Sequence, residues 1–352
     1  MDVRGNLLRS LPEIKQLSRL ESLVASYNHL ESLPDLEGLR SLNHMDVSFN
    51  HLQSLPNSIL NLPTSCDCFL EHSGLSNHVL ARLREISEPR GSAGRRFYFS
   101  IQDHNPSQPP QNLRASLRAL YAKAKIKTFV DMQRTYPIIH DVISNNPQRA
   151  NSLQSWLSRL TLMQQSERES SASLSRKILS YLTLAETNES FREQFFNTIE
   201  GATETCGDRM ALSVLHLGVQ HRMAVINKGD LKGYAEFLIH GPWMLDRLEE
   251  IARAKVETLR FVDEIEVYLG FPTKLRERLN LQIDVEEMLY FTCSGITEAD
   301  LDYAASFIED QLSTPDAIAN ILIQREDWIQ ALKEKHPGAI AAFQREKEYK
   351  LR

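Results

Sequence analysis

Cys206 is the side chain of this sequence that is best placed for covalent chemistry. It lies in the stretch TCGDR at residues 205–209, which opens a predicted helix. Free N–H groups and the dipole at a helix N-terminus favour the thiolate, which is the nucleophilic form of cysteine. Arg209 adds a positive charge, and Gly207 leaves the approach to the sulfur open. From these residues alone, a buried structural cysteine is the default interpretation, and a reactive cysteine is the alternative that the pattern raises.

Asp208 has a structural interpretation of its own. Thr205 and Asp208 have the spacing of a capping box, in which the carboxylate bonds the backbone at the start of a helix. A thiol protease would also need a histidine directed at the cysteine. His216, His221 and His240 are available, but no cysteine-protease signature surrounds Cys206. We interpret the first two histidines as helix-surface or packing residues.

No metal or cofactor site is expected. Cys66 and Cys68 have half of the spacing of a zinc site, but no second Cys or His pair stands nearby. We predict that they are two strand positions on one buried face. The sequence also has no glycine-rich phosphate loop and no metal-spaced His/Asp cluster.

An internal repeat occupies the N-terminal part of the chain. Asn6, Asn28 and Asn50 are 22 residues apart, and the Leu-Pro pairs at 11–12, 33–34 and 55–56 keep the same period. This is the leucine-rich-repeat pattern, in which leucines point inward and the asparagine bonds backbone groups at the turn. The stack is short and begins in mid-strand without a cap, so we expect it to pack on the rest of the chain.

The domain organisation follows from this repeat. Residues 1–88 form the repeats with a capping helix at 76–86, residues 89–112 a linker, and residues 113–352 an all-helical domain. In the linker, Phe97 and Phe99 predict a short docked strand. Apolar spacing of three to four residues predicts a helix at 242–269 that is stopped by Gly270 and Pro272. Another helix is predicted to begin at Thr297, and further helices at 113–125, 148–163, 174–186, 190–200, 207–225, 283–290 and 315–335.

Composition narrows the function classes. The chain has 352 residues, 42% hydrophobic and 24% charged, which is typical of a globular protein. Its net charge of -6 argues against nucleic acid as the main partner. No apolar run is long enough to span a membrane, and no secretory signal is visible. Four scattered cysteines favour a reducing compartment.

Several stretches resemble one known family. The catalytic loop of that family is similar to ATETCGDR at 202–209, and a near-signature stretch is similar to DEIEVYL at 263–269, preceded by IARAK at 251–255. The segments HSGLS at 72–76 and GRRFYFS at 94–100 resemble its repeat cap and post-repeat segment. The chain therefore resembles the IpaH class of bacterial type III effector ubiquitin ligases, the novel E3 ligase (NEL) family.

The resemblance implies a mechanism. Cys206 would accept ubiquitin from a conjugating enzyme (E2) as a thioester, and a substrate lysine would then attack that thioester. Asp208 would orient the lysine and accept its proton. The expected partners are a ubiquitin-charged E2, ubiquitin and a host substrate protein, with no nucleic acid and no membrane.

The resemblance also implies roles for the repeats and a location. The repeats would recognise the substrate through strand positions on the concave face, which are Asp2, Arg4, Val24, Ser26, Asp46 and Ser48. In this family the repeats can also pack on the helical domain and restrain the cysteine. A type III system would deliver the protein into the host cytoplasm, with the host nucleus as a second destination. The alternative function is a non-catalytic repeat adaptor whose helical domain is a scaffold.

Overall fold

The chain is largely helical. It begins with a segment of short strands at residues 1–87, which we call the strand segment. A computed structural model describes residues 1–87, 95–99, 111–126, 129–163, 170–204, 209–283 and 294–338. Its strands lie near the N-terminus, except for one pair of residues contributed from the C-terminal half.

Five strands form one parallel sheet whose order follows the chain. They are β1 (Ser22–Val24), β2 (His44–Asp46), β3 (Asp67–Phe69), β4 (Arg96–Tyr98) and β5 (Phe261–Val262). The register places Ser22 opposite His44, 22 residues later, and His44 opposite Asp67. The sequence period therefore coincides with the pairing of β1 and β2.

Buried asparagines close the turns that follow β1 and β2, as predicted. The Asn28 side-chain amide donates to the carbonyls of Val3 (2.9 Å) and Ala25 (3.1 Å), and its oxygen accepts from the Leu8 N–H (3.0 Å). Asn50 repeats this pattern one period later. Because each asparagine binds the preceding coil as well as its own, it joins neighbouring coils through backbone groups that would otherwise be unpaired.

Apolar side chains fill the space behind the sheet. The row Leu23, Met45, Cys68 and Phe97 crosses β1 to β4 and is fully buried. Cys66 is fully buried as well, and its Sγ lies 3.8 Å from that of Cys68, which confirms that both face the same core. The hydrogen bond between the two thiols lowers the pKa of Cys66 and, together with burial, raises that of Cys68.

Helices make up most of the remaining described chain. They are α1 (Asn77–Ser87), α2 (Leu113–Lys123), α3 (Met132–Thr135), α4 (Pro137–Asn145), α5 (Pro147–Met163), α6 (Ser170–Thr187), α7 (Glu189–Glu204), α8 (Arg209–Val225), α9 (Leu231–Leu238), α10 (Met244–Val256), α11 (Glu264–Leu275), α12 (Glu298–Gln311), α13 (Pro315–Ile323) and α14 (Glu326–Lys335). A short 3₁₀ helix spans Asn57–Asn61, and a π-helical segment, Ile239–Trp243, joins α9 to α10.

The helices pack around three apolar clusters. One is built from α2 and α4 to α8 around Trp156, Tyr181 and Phe195, all almost fully buried. A second joins α10, α11 and α12 to Leu215 of α8, and a third seats α13 and α14 on α9. Helix α8 therefore belongs to the first two clusters and connects them.

The predicted helix at 242–269 is wrong as a single element. The helix ends at Val256, the chain forms β5, and α11 then begins after Asp263, whose side chain accepts from the Glu266 N–H at 3.3 Å. The break exists because residues 261–262 pair with β4, which is remote in sequence. Pro272, predicted to stop the helix, lies inside α11, whose apolar face is buried around it.

The other helix predictions have mixed outcomes. The structure confirms the predicted helices at 76–86, 113–125, 148–163, 174–186 and 190–200, and most of the one at 207–225. It also confirms the capping box of Thr297 with Asp300. The helix predicted at 315–335 is broken, because Arg325 is extended before α14. The sequence analysis missed α3, α4 and α9, and the helix predicted at 283–290 falls almost entirely outside the described residues.

β4 and β5 join the strand segment to the helical part in one sheet. The docked strand predicted from Phe97 and Phe99 is confirmed as β4. Arg96 of β4 donates through Nε to the Leu259 carbonyl (3.2 Å) and through Nη2 to the Val256 carbonyl (2.9 Å). These bonds hold the end of α10 against the sheet, so the strand segment packs on the rest of the chain, as the sequence analysis expected of the N-terminal part.

Candidate active site

Cys206 and Asp208 lie outside the described residues, together with Thr205 and Gly207. Their roles, and the capping box predicted for Thr205 and Asp208, therefore remain predictions. The elements on either side are described: α7 ends at Glu204 and α8 begins at Arg209. These two helices flank the predicted nucleophile.

Helices α7 and α8 pack against each other as a hairpin. Ile199 and Ala202 of α7 and Met210 of α8 are buried in the shared core, within a few residues of the connection. Further along, the Thr198 hydroxyl lies 3.3 Å from Oε1 of Gln220 on α8. The two helices are thus held together by apolar packing near their connection and by a polar contact further from it.

A buried pair of hydrogen bonds fixes the first turn of α8. The indole N–H of Trp156 on α5 donates to the Ser213 hydroxyl at 2.8 Å. That hydroxyl donates in turn to the Met210 carbonyl at 2.6 Å. Because Trp156 is fully buried, this chain fixes the start of α8 relative to α5, directly after the predicted nucleophile.

The end of α7 has a separate anchor on α5. Arg149 binds Glu193 through Nη2 at 2.7 Å and Glu200 through Nε at 3.5 Å. Its guanidinium also lies 5.0 Å from the ring centre of Phe196. The ion pair with Glu193 raises the pKa of Arg149 and lowers that of Glu193. Helix α5 therefore holds both arms of the hairpin.

The three candidate histidines are engaged elsewhere. Nε2 of His216 lies 2.6 Å from Oε1 of Glu249 on α10. His221 packs against the rings of Tyr181 and Phe191, and burial lowers its pKa. Nδ1 of His240 lies within hydrogen-bond distance, 3.1 Å, of the Leu279 carbonyl oxygen. These contacts confirm the interpretation of His216 and His221 as helix-surface or packing residues.

Four of the six predicted substrate-reading residues, Asp2, Arg4, Val24 and Asp46, lie on one face of the sheet. Asp2 and Arg4 are exposed and form an ion pair of 2.9 Å. Val24 pairs with Asp2 on one side and with Asp46 on the other, and both Val24 and Asp46 are half-buried. This part of the face presents a carboxylate and an ion pair to solvent.

Ser26 and Ser48 do not present a surface to a partner. They are buried at 1% and 7% exposure, beyond the ends of β1 and β2. The Ser48 hydroxyl donates to Oδ1 of Asp46 at 2.5 Å, so it orients that carboxylate. Both residues lie in the turns that the buried asparagines close, because Asn28 donates to the Ser26 carbonyl and Asn50 to the Ser48 carbonyl.

The same sheet face is covered by helices further along. Asp46, Phe69 and Tyr98 are neighbours in one row, and the rings of Phe69 and Tyr98 stack with centres 4.6 Å apart. Tyr98 belongs to the apolar cluster of α10 to α12, which also contains Leu215. The sequence analysis missed this docking row, although the alternation of Phe97 and Phe99 places Tyr98 on the opposite face.

Acidic side chains gather at this junction. Burial, together with the neighbouring carboxylates of Asp46, Glu264 and Asp263, raises the pKa of Glu71 to about 7. Burial likewise raises the pKa of Tyr98 to about 12. The strand segment contributes Asp46 and Glu71, and β4 contributes Tyr98. The start of α11 contributes Asp263 and Glu264, so the cluster exists only where these parts meet.

The described part of the chain contains no group of three or more His, Cys, Asp or Glu side chains suited to a metal ion. Among the same residues, no helix combines the length and apolar character needed to cross a bilayer.

A protein-family model described as "C-terminal novel E3 ligase, LRR-interacting" (NEL) matches residues 144–339, which is more than half of the chain. The chain belongs to this family. The match encloses α7, α8 and the connection between them, and most of the helices on which they pack.

Curated relatives agree with this assignment. The E3 ubiquitin-protein ligase ipaH9.8 of Shigella dysenteriae is 30% identical over 257 residues, which are 72% of this NEL chain and 45% of the relative. The E3 ubiquitin-protein ligase ipaH3 of Shigella flexneri is 30% identical over the same share of this chain and 43% of its own length. The chain thus spans less than half the length of these relatives.

Proposed function

We propose that this chain is an E3 ubiquitin ligase that carries ubiquitin on Cys206 and passes it to a lysine of a substrate protein. The observation that supports this most strongly is the NEL match across the α7–α8 hairpin, since the predicted nucleophile lies between its two arms. The named activity of the relatives agrees with the proposal.

The first step is an exchange of thioesters. The Cys206 thiolate attacks the carbonyl carbon that joins ubiquitin to the E2 cysteine, and the E2 leaves as its own thiolate. One carbon–sulfur bond forms as another breaks, so the step is near balance and depends on positioning and ionisation of the attacking sulfur. The anchors of α5 on both arms of the hairpin supply part of that positioning.

The second step consumes the thioester. A substrate amine attacks the carbonyl carbon, an amide bond forms, and Cys206 leaves as a thiolate. The lysine must lose a proton to become nucleophilic, and the proposed acceptor is Asp208, two residues after Cys206 in the sequence. Such general-base help is typically worth roughly 10²–10⁴-fold in rate.

The N-terminal segment is proposed to be a leucine-rich-repeat solenoid that recognises the substrate. The shared period of the asparagines, the parallel strands at that period and the buried apolar row support this assignment. We place residues 1–88 in the repeats, 89–112 in the linker and 113–352 in the ligase domain. The accessible part of the concave face is the strip formed by Asp2, Arg4, Val24 and Asp46.

The proposed partners are a ubiquitin-charged E2, ubiquitin and a host protein. Delivery by a bacterial type III system into the host cytoplasm, or onward to the nucleus, belongs to the same proposal. It is supported by the IpaH names of the relatives.

The test combines activating enzyme, E2, ubiquitin and ATP with the chain, followed by non-reducing and reducing gels. We expect a ubiquitin adduct that a thiol reductant removes, and no adduct with Cys206→Ala. Cys206→Ser is the matched control, since a ubiquitin ester on serine resists the reductant. Asp208→Asn should retain the thioester but slow transfer to lysine by at least about 100-fold.

The alternatives predict different outcomes. A repeat adaptor shows no adduct at Cys206 under any condition, whereas a thiol protease cleaves peptides without ATP or E2. If Asp208→Asn unfolds the protein, as circular dichroism would show, the carboxylate acts as a helix cap.

A further inference from the structure

The outer face of α12 exposes two aromatic rings side by side. Tyr303 is 64% exposed and Phe307 39% exposed, and their rings stack with centres 6.0 Å apart. They lie one helical turn from each other, on the side of α12 away from its buried Leu301 and Ile308. Two adjacent exposed aromatic side chains form an apolar patch of the kind that marks interaction sites.

Helix α12 also exposes carboxylates near this aromatic pair. The exposed acids on α12 are Glu298, Asp302, Glu309 and Asp310. Arg278 binds Asp302 at 2.6 Å and Glu309 at 3.4 Å, so one arginine partly neutralises one border of the patch. The remaining negative charge selects a partner whose own apolar patch is bordered by lysine or arginine.

Helix α12 is a rigid support for such a contact. Its N-terminus is closed by the reciprocal capping box of Thr297 and Asp300. Asp300 also binds Lys255 of α10 at 2.7 Å. The buried side of α12 shares its apolar cluster with α10, α11 and Leu215 of α8, the helix that follows the predicted nucleophile. The aromatic face is therefore built on the unit that carries Cys206.

We propose that the outer face of α12 is a non-covalent binding site for ubiquitin. This inference rests on the proposed function, because a ubiquitin joined to Cys206 by one flexible bond needs a second contact to be held in a productive orientation. A small face is sufficient for this purpose. Tethering raises the effective concentration of ubiquitin at this face to about the millimolar range. A site that binds free ubiquitin only weakly is therefore occupied once the thioester has formed.

The experiment titrates ¹⁵N-labelled free ubiquitin with the full chain carrying Cys206→Ala, without E2 or ATP. We expect perturbed ubiquitin resonances to define one apolar patch bordered by lysine or arginine residues. Tyr303→Ala combined with Phe307→Ala should weaken binding by about tenfold or more. Asp310→Lys, which reverses an exposed carboxylate that Arg278 does not bind, should weaken it at low salt, with a smaller difference at high salt.

Val225→Ala is the control, since Val225 is 53% exposed at the end of α8, and it should bind ubiquitin like the parent. Thermal unfolding of each variant checks that these surface changes leave the fold intact. Unchanged ubiquitin binding in the Tyr303/Phe307 variant overturns the site, and so does a parent chain that perturbs no ubiquitin resonance at millimolar concentration. A parent dimer that this variant dissolves also overturns it, because the face would then bind a second copy.

Separate measurements distinguish failure of the proposed ligase function from failure of the α12 site. Charging of Cys206 is measured on the parent chain with E2 and ATP, whereas ubiquitin binding is measured with Cys206→Ala. A chain that binds free ubiquitin but never forms the thioester would refute the ligase mechanism alone. A chain that forms the thioester but binds ubiquitin equally with or without the aromatic pair would refute the α12 site alone.

Discussion

The strand segment and the α7–α8 hairpin position their polar groups by different means. In the strand segment, Asn50 bonds Ala25, only 25 residues away, and the same type of bond joins Asn28 to Val3 at the same separation. In the hairpin, the decisive bond joins Trp156 to Ser213, 57 residues apart, with no second copy elsewhere in the described chain. A periodic structure repeats a local solution, whereas a helical domain relies on single long-range contacts.

The two regions should also differ in how far the loss of one hydrogen bond destabilises them. A coil of the strand segment has neighbours that make equivalent bonds, so damage is partly local. The start of α8 is held by one tryptophan, one serine and the surrounding core. The junction between the strand segment and the helical part differs from both regions. Its acidic cluster exists only while these two parts are docked.

The largest expected effect comes from Trp156. Trp156→Ala removes a fully buried ring and should lower the free energy of unfolding by about 3–5 kcal/mol. Trp156→Phe retains most of the packing against Phe195 but removes the donor to Ser213, and should cost about 1–3 kcal/mol. Urea unfolding monitored by circular dichroism measures both. Equal stability of Trp156→Phe and the parent would show that the hydrogen bond does not hold α8.

Asn50 tests the strand segment in the same way. Asn50→Ala leaves the Leu30 N–H and the carbonyls of Ala25 and Val47 without their side-chain partner, which should cost about 2–4 kcal/mol. Asn6→Ala is the matched control, because Asn6 has the equivalent position in the period but is exposed, and should cost less than about 0.5 kcal/mol. Hydrogen exchange should locate the Asn50 effect in the strand segment. A loss of protection spread equally over α5 to α8 would contradict the contrast between the two regions.

Glu71 tests the junction through pH. Its folded-state pKa, about 7, lies above the usual carboxyl value, so the folded protein binds more protons than the unfolded chain between about pH 4.5 and 7. Stability should therefore fall as the pH rises through that window, and the Glu71 contribution should be constant above it. Glu71→Gln should remove this slope and raise stability at pH 8 by on the order of 1–2 kcal/mol.

Glu37→Gln, which changes an exposed carboxyl on the same segment, serves as the control and should leave the pH dependence as it is. Chemical unfolding at pH 5 and pH 8 compares the three proteins. A Glu71→Gln curve parallel to that of the parent would show that Glu71 ionises freely in the docked state.

Helices with a continuous apolar stripe and clear ends were predictable from sequence, as α5 and the capping box at Thr297 show. The division of 242–269 into α10, β5 and α11 was not. The residues of β5 continue the helical spacing, and their pairing with β4 lies more than 160 positions away. The contact that fixes the start of α8 could not be predicted either, because no local pattern links Trp156 to Ser213.

The amino-acid sequence by itself determined the repeat period, the buried positions of Cys66 and Cys68 and the likeness to the NEL family around Cys206, because each depends on residues close together in the chain. Only the tertiary structure decided that helices cover Phe69 and Tyr98, that Ser26 and Ser48 are buried, and that α12 displays an aromatic pair among acids. Burial and charge environment are set by segments that meet in space, and the spacing of residues along the chain does not contain that information.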